Sequence, residues 1–113
     1  MSTMDFEKMR DETKVFYDVS GRIDTQTAPD FQDEIDECLA ESEKDFENKI
    51  NLTLNFKDVQ YVSSAGLRTL LYIKKKIDKM AENSSFEIIN VQPEVMDVFN
   101  MTGFTEFLTI SAI

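Results

Sequence analysis

Two adjacent serines, Ser63 and Ser64, follow the apolar-rich stretch Val59-Gln60-Tyr61-Val62 and precede Ala65-Gly66 and a run of helical spacing. That order puts them where a loop turns into a helix N-terminus. The first backbone N–H groups of a helix have no internal partners, and the helix dipole favours negative charge there. A serine hydroxyl at such a place has two uses. It can accept a first-turn N–H as a cap, or it can carry a phosphate whose charge the helix end tolerates. From these residues alone both readings stay open. Gly66 has two readings as well: it admits the close approach of a partner, or it lets its own helix pack closely on the sheet. Arg68, in the first helical turn, is either a solvated cation or a contact for an acidic partner group.

The elements that must hold this turn are legible in the apolar pattern. Val15, Tyr17 and Val19 alternate with Phe16, Asp18 and Ser20, which predicts a strand ending at the turn residue Gly21. Ala28, Phe31, Ile35, Cys38 and Leu39 recur at three and four residues with carboxylates between them, an acidic amphipathic helix with Pro29 in its first turn. The charged stretch from Glu41 to Lys49 is expected to end that helix and loop back. Ile50, Leu52, Leu54 and Phe56 alternate strictly with Asn51, Thr53 and Asn55, so this strand buries one face and wets the other. Helices should therefore cover mainly one side of the sheet.

Beyond the serines, Leu70, Ile73, Ile77 and Met80 form a helical stripe opposite Lys75, Lys76 and Lys79. Phe86, Ile88 and Ile89 predict a strand. Pro93 opens a short helix with Val95, Val98 and Phe99 inward, stopped near Gly103, and Phe107 to Ile110 reads as a last strand. A further strand is possible from Asp5 to Arg10. Helices alternating with strands give an α/β domain over residues 1–113, its sheet mixed, largely parallel and four- to five-stranded. Met96, Met101 and Phe104 lie around the third helix, either as core and edge packing or as an exposed apolar patch.

The totals narrow the chemistry. A chain of 113 residues buries roughly 65% of its unfolded surface, enough for a core without staples. With no histidine, imidazole triads, shuttles and metal sites are excluded, and the single Cys38, at an apolar helical position, reads as core packing. Three glycines, in no phosphate-cradling pattern, leave no nucleotide loop. No cofactor, no metal site and no enzymatic activity are expected. The net charge of −10 argues against nucleic-acid binding, and Lys74 to Lys76 read as a solvated helix face. The polar N-terminus lacks a signal-peptide pattern, no apolar run reaches the ~18 residues of a membrane span, and a lone cysteine suits a reducing compartment. The expectation is a cytoplasmic protein with no direct membrane insertion.

Three segments together carry a family resemblance. Gly21-Arg22-Ile23-Asp24-Thr25-Gln26-Thr27-Ala28, Asp58 through Leu71, and Pro93 through Phe99 with Thr102-Gly103-Phe104 resemble, in order, the conserved stretches of anti-sigma factor antagonists, small STAS-domain proteins. The resemblance spans most of residues 13–110. It implies a STAS-like domain whose unphosphorylated form binds an anti-sigma factor with a GHKL-type serine kinase fold and so releases a sigma factor. That kinase would phosphorylate the loop–helix serine and switch binding off, and a metal-dependent serine phosphatase would reverse it. Matched residue by residue, the phosphoacceptor falls on Ser64, with Ser63 the minority choice. The implied partner-binding residues are Asp24, Thr25, Ser63, Ser64, Ala65, Gly66 and Arg68, with Asp24 shaping the loop. The alternative is a STAS subunit of a stress-sensing scaffold or of a lipid or anion transport complex.

Overall fold

The computed structural model describes residues 3–113. Strand β1 (Met4–Asp11) turns back into β2 (Lys14–Ile23), followed by helix α1 (Ala28–Asp45), β3 (Asn51–Val62), α2 (Ser64–Asp78), β4 (Ser85–Val91), α3 (Pro93–Thr102), a short 3₁₀ turn (Phe104–Glu106) and β5 (Thr109–Ala112). The strands lie in the order β1-β2-β3-β4-β5. β1 and β2 form an antiparallel hairpin, and every later neighbour is parallel. Helical crossovers between parallel strands must come back over the sheet, which explains why each helix sits between consecutive strands.

The strict alternation of β3 decides the layering. Leu52, Leu54 and Phe56 are fully buried, while Asn51, Thr53 and Asn55 are half-buried on the opposite face. On the apolar side Phe56 stacks on Phe99 of α3 at 6.4 Å between ring centres, and Phe99 stacks on Phe104 at 6.1 Å. Phe31, Ile35 and Cys38 of α1 and Leu70, Ile73 and Ile77 of α2 complete this core. The other face closes its polar groups on one another. Asn51 donates to Ser85 Oγ (3.0 Å), Thr53 to Glu87 Oε1 (3.1 Å), Asn55 to Asp18 Oδ1 (2.7 Å) and Asn90 to Asn55 Oδ1 (3.1 Å). Cross-strand side-chain bonds of this kind let the face meet water without orphaning a donor or acceptor.

The edge strand β1 is tied to α1 by charge as well as by packing. Phe6 meets Tyr17 edge-on and leans on Phe31. Arg10 donates from Nη2 to Ser42 Oγ (2.8 Å) and to the Cys38 carbonyl (3.3 Å), while its Nε lies 2.6 Å from Glu41 Oε1. Its guanidinium also lies 4.4 Å from the Phe46 ring centre. Lys8 donates to the same Glu41 carboxylate at 3.0 Å. The hydrogen bond from Lys8, with the two positive charges, holds the Glu41 carboxyl below its ordinary value. Nearby, the buried Tyr17 hydroxyl donates to Glu34 Oε2 at 2.8 Å, and burial, Cys38 and Glu34 push its pKa up. Burial likewise raises the thiol of Cys38, a core residue as its spacing predicts.

Several boundaries differ from the sequence reading. β2 does not stop at Gly21 but continues to Ile23; Gly21 lies inside it at φ +98° beside a register shift, where a side chain would collide with the Thr3 carbonyl. α1 extends through the charged stretch to Asp45, because Ser42 is buried under Arg10 and the intervening charges face solvent. β3 runs six residues past Phe56, so no loop precedes the serines. The last strand begins at Thr109, since Phe104–Glu106 closes a 3₁₀ turn on the stacked phenylalanines. Among the apolar residues around α3, Phe104 is buried and Met96 packs on the core, whereas Met101 is 86% exposed.

Gly66 is buried, and a Cβ there would lie 2.9 Å from the Ile23 carbonyl oxygen, from Ile23 Cγ2 and from Val62 Cγ1. We expect Gly66→Ala to destabilise by about 1–2 kcal/mol in urea unfolding, because overpacking outweighs the roughly 1 kcal/mol gain in helix propensity. An unchanged or raised midpoint would refute the close-packing role. The lowered Glu41 carboxyl gives a second expectation. A depressed folded-state pKa adds stability above the unfolded value, lost as pH falls through the folded value. Glu41→Gln should therefore lower Tm at neutral pH, with the difference from the parent fading as pH drops below about 4; a difference that persists in acid would contradict it.

Candidate functional site

The serine turn is the point where β3 feeds directly into α2. Only Ser63 separates them, with extended backbone (φ −87°, ψ 176°). Its N–H still belongs to the sheet, donating to the Ile23 carbonyl at 2.9 Å, while its own carbonyl already accepts the Leu67 N–H at 2.9 Å. Its Oγ accepts from the Gly66 N–H at 3.4 Å, a long but correctly placed N-cap bond. Ser64, the first residue of the helix, is exposed, and among the described residues its hydroxyl has no hydrogen-bond partner. The two serines, equivalent in the sequence, are thus different in space: Ser63 caps and Ser64 faces out.

Gly66 makes this geometry possible. With no Cβ, the first turn of α2 settles against Ile23 and Val62, which keeps Ser63 within reach of the Ile23 carbonyl. Of the two readings of Gly66, the geometry is that of close packing of its own helix on the sheet.

Directly after Ile23, the chain makes a reciprocal box. Asp24 Oδ1 accepts from the N–H groups of Gln26 (3.0 Å) and Thr27 (3.2 Å), and the Asp24 N–H donates to Thr27 Oγ1 (2.9 Å). The Thr27 hydroxyl, almost fully buried, donates back to the Arg22 carbonyl at 2.8 Å. The Ala28 N–H then donates to the Asp24 carbonyl at 2.8 Å, starting α1. This is capping-box logic, with aspartate and threonine three residues apart ahead of an apolar run. The Asp-x-x-Thr spacing was the available signal for the capping role of Thr27, a residue of the Gly21–Ala28 resemblance that is not among the implied partner-binding residues.

The two helix starts face each other across a groove of about 410 Å³, lined among others by Thr25, Pro29 and Asp33 on the α1 side and Ala65 and Arg68 on the α2 side. The groove thus brings Thr25 together with Ala65 and Arg68, and the Ser63 N–H bonds to the carbonyl of Ile23, the residue before Asp24. Asp58, in contrast, pairs with Ser20, four residues before Val62 and so about 13 Å back along the strand. It does not join Asp24 at the turn. Asp33 and the Arg22–Tyr61 pair escaped the sequence reading. Arg22 lies 4.3 Å from the Tyr61 ring centre and 4.0 Å from Asp24 Oδ2, beside the turn on neighbouring strand ends. No helix among the described residues is long and apolar enough to cross a membrane.

Comparison with known proteins agrees with the fold. No curated protein matches the chain. Among solved structures, it is similar to an anti-sigma factor antagonist from Mycobacterium paratuberculosis, at 19% identity and TM-score 0.78, over 98% of this chain and 87% of that one. It is similar to the anti-sigma factor antagonist SpoIIAA in its unphosphorylated form, at 15% identity and TM-score 0.68, over 96% and 88% of the two chains. The Bacillus cell fate determinant SpoIIAA in the phosphorylated form aligns at 16% identity and TM-score 0.65, over 96% and 90%. At these identities the likeness speaks for the shared fold. The STAS domain model matches residues 6–112, nearly the whole chain, and with the sheet order and helix placement above, the chain belongs to the STAS domain family.

Proposed function

We propose that this chain is an anti-sigma factor antagonist that binds its anti-sigma factor when Ser64 is unmodified and loses that partner when Ser64 is phosphorylated. The observation that carries the reading is the division of labour between the serines: Ser63 is committed to capping α2, and Ser64 offers an unpartnered hydroxyl at the first helical position. The partner is an anti-sigma factor that is itself a serine kinase of GHKL-type fold. The γ-phosphoryl group of ATP passes to Ser64 Oγ as the bond to the β-phosphate breaks, ADP leaves, and the hydroxyl proton goes to a base of the kinase. A metal-dependent serine phosphatase returns the chain to its binding form. The role is binding, not catalysis, and belongs in the cytoplasm.

Electrostatics make a single phosphate sufficient. It adds about −1.5 to −2 charge and three acceptor oxygens. The helix N-terminus offsets roughly 0.3–1 kcal/mol of that, so the fold survives modification. A docked partner carboxylate about 8 Å away meets a repulsion on the order of 2 kcal/mol per unit charge at an effective dielectric near 20. Asp24, adjoining the Ile23 carbonyl that holds Ser63, adds to the negative field. Because about 2.8 kcal/mol is a hundredfold in affinity, repulsion with desolvation of the phosphate switches the complex without a conformational change.

Binding of the anti-sigma factor, titrated calorimetrically, tests this reading. Ser64→Ala should bind as tightly as the parent, and Ser64→Asp should bind more weakly by about tenfold or more, since a carboxylate carries less charge than a phosphate. Ser63→Ala should bind normally but lose about 0.5–1 kcal/mol of stability with its cap. Equal affinity of the Ser64→Ala and Ser64→Asp chains would defeat the mechanism.

A further inference from the structure

We propose that Arg68 is the internal counter-ion of the phosphate on Ser64, and that drawing Arg68 out of the α1–α2 groove carries the modification to the surface beyond the serine. The inference rests on the reading of Ser64 as the modified residue.

Ser64 and Arg68 are four residues apart in α2, so their side chains share one face with Cβ atoms about 5–6 Å apart. An acid four residues ahead of a cation is the favourable order for such a pair, and the helix dipole assists the phosphate at the N-terminus. Both side chains are exposed. Arg68 makes no ion pair among the described residues, although it lines the same groove as Asp33 of α1. The other arginine of the region, Arg22, is already held over Tyr61 and beside Asp24. Arg68 is therefore the uncommitted guanidinium on the serine's own helix face.

A phosphate attracts it more strongly than Asp33, which lines the groove without pairing to it. The phosphate carries about twice the charge and offers three oxygens to a planar fork of donors, a geometry suited to paired hydrogen bonds. In the unmodified chain Ser64 is neutral and the groove holds Arg68 opposite Asp33, one charge of each sign. In the modified chain Arg68 neutralises part of the phosphate, leaving about −0.5 to −1 at Ser64, and the groove keeps only the Asp33 carboxylate. One modification thus turns two neighbouring surfaces acidic, the turn and the groove. A partner seated across both meets repulsion at both.

The test uses the full chain with phosphoserine installed at position 64 during translation, beside the ordinary serine chain, each with Arg68, Arg68→Ala and Arg68→Lys. Arg68→Ala should lower Tm by about 2–4 °C in the phosphoserine chain and by less than about 1 °C in the serine chain. Arg68→Lys should restore part of the loss, and about 1 M salt should shrink it. The side-chain Nε–H resonance of Arg68 should shift on phosphorylation. Equal Tm losses in both chains, or an unmoved Arg68 resonance, would overturn the proposal. Because the phosphate is placed without a kinase, this outcome is independent of whether an anti-sigma factor modifies Ser64.

Discussion

The structure around the serines depends on one close approach, the seating of Gly66 against Ile23 and Val62. A strand that leads into a helix with a single intervening residue must change direction at once. It can do so only if the first helical turn meets no side chain where it presses on the sheet. The missing Cβ supplies that space, and the Ser63 N–H then stays in the ladder with Ile23 while its carbonyl enters the helix. The geometry of the two serines follows from this junction. It spends one serine hydroxyl on the cap, turns the next outward, and brings the start of α2 beside the Asp24–Thr27 box that starts α1.

The rest of the fold holds that junction rigid at a distance. The apolar face of β3 shares one buried core with residues of all three helices through residues such as Leu54 and Phe56, and truncating a buried phenylalanine of this kind costs about 3–5 kcal/mol. The opposite face binds its own polar groups across the strands. The β1 hairpin is locked to α1 by Arg10, which couples the far end of the acidic helix to the sheet. The proposed switch by surface charge would need such a frame, because a soft site would relax around a phosphate and dilute the repulsion.

Much of this was legible in the residues. The alternation of Ile50 to Phe56 gave the one-sided sheet, Pro29 and Pro93 marked helix starts, and the serine motif located the turn. What escaped has physical reasons. Beyond Phe56, β3 carries extra residues relative to β2 at the two register shifts, so its buried positions become Phe56, Val59 and Val62, three apart, and the period-two signal disappears. The helical course of Glu41 to Asp45 depends on Arg10, about thirty residues away in sequence and invisible to any local pattern. The family resemblance points to Ser64 over Ser63, but that Ser63 is the one that caps α2 arises from where the sheet ends, which no property of two identical side chains could reveal. The groove with Asp33 required the two helix starts to be seen together.

The proposed switch requires that Ser64 is the modified hydroxyl and Ser63 the structural one. The most direct measurement incubates the purified chain with ATP and the anti-sigma kinases of its own genome, and locates any phosphate by peptide mass spectrometry in the parent, Ser63→Ala and Ser64→Ala chains. One phosphoryl group is expected on Ser64, retained in Ser63→Ala and abolished in Ser64→Ala. A phosphate found on Ser63, or tight binding of a kinase that never modifies the chain, would contradict it.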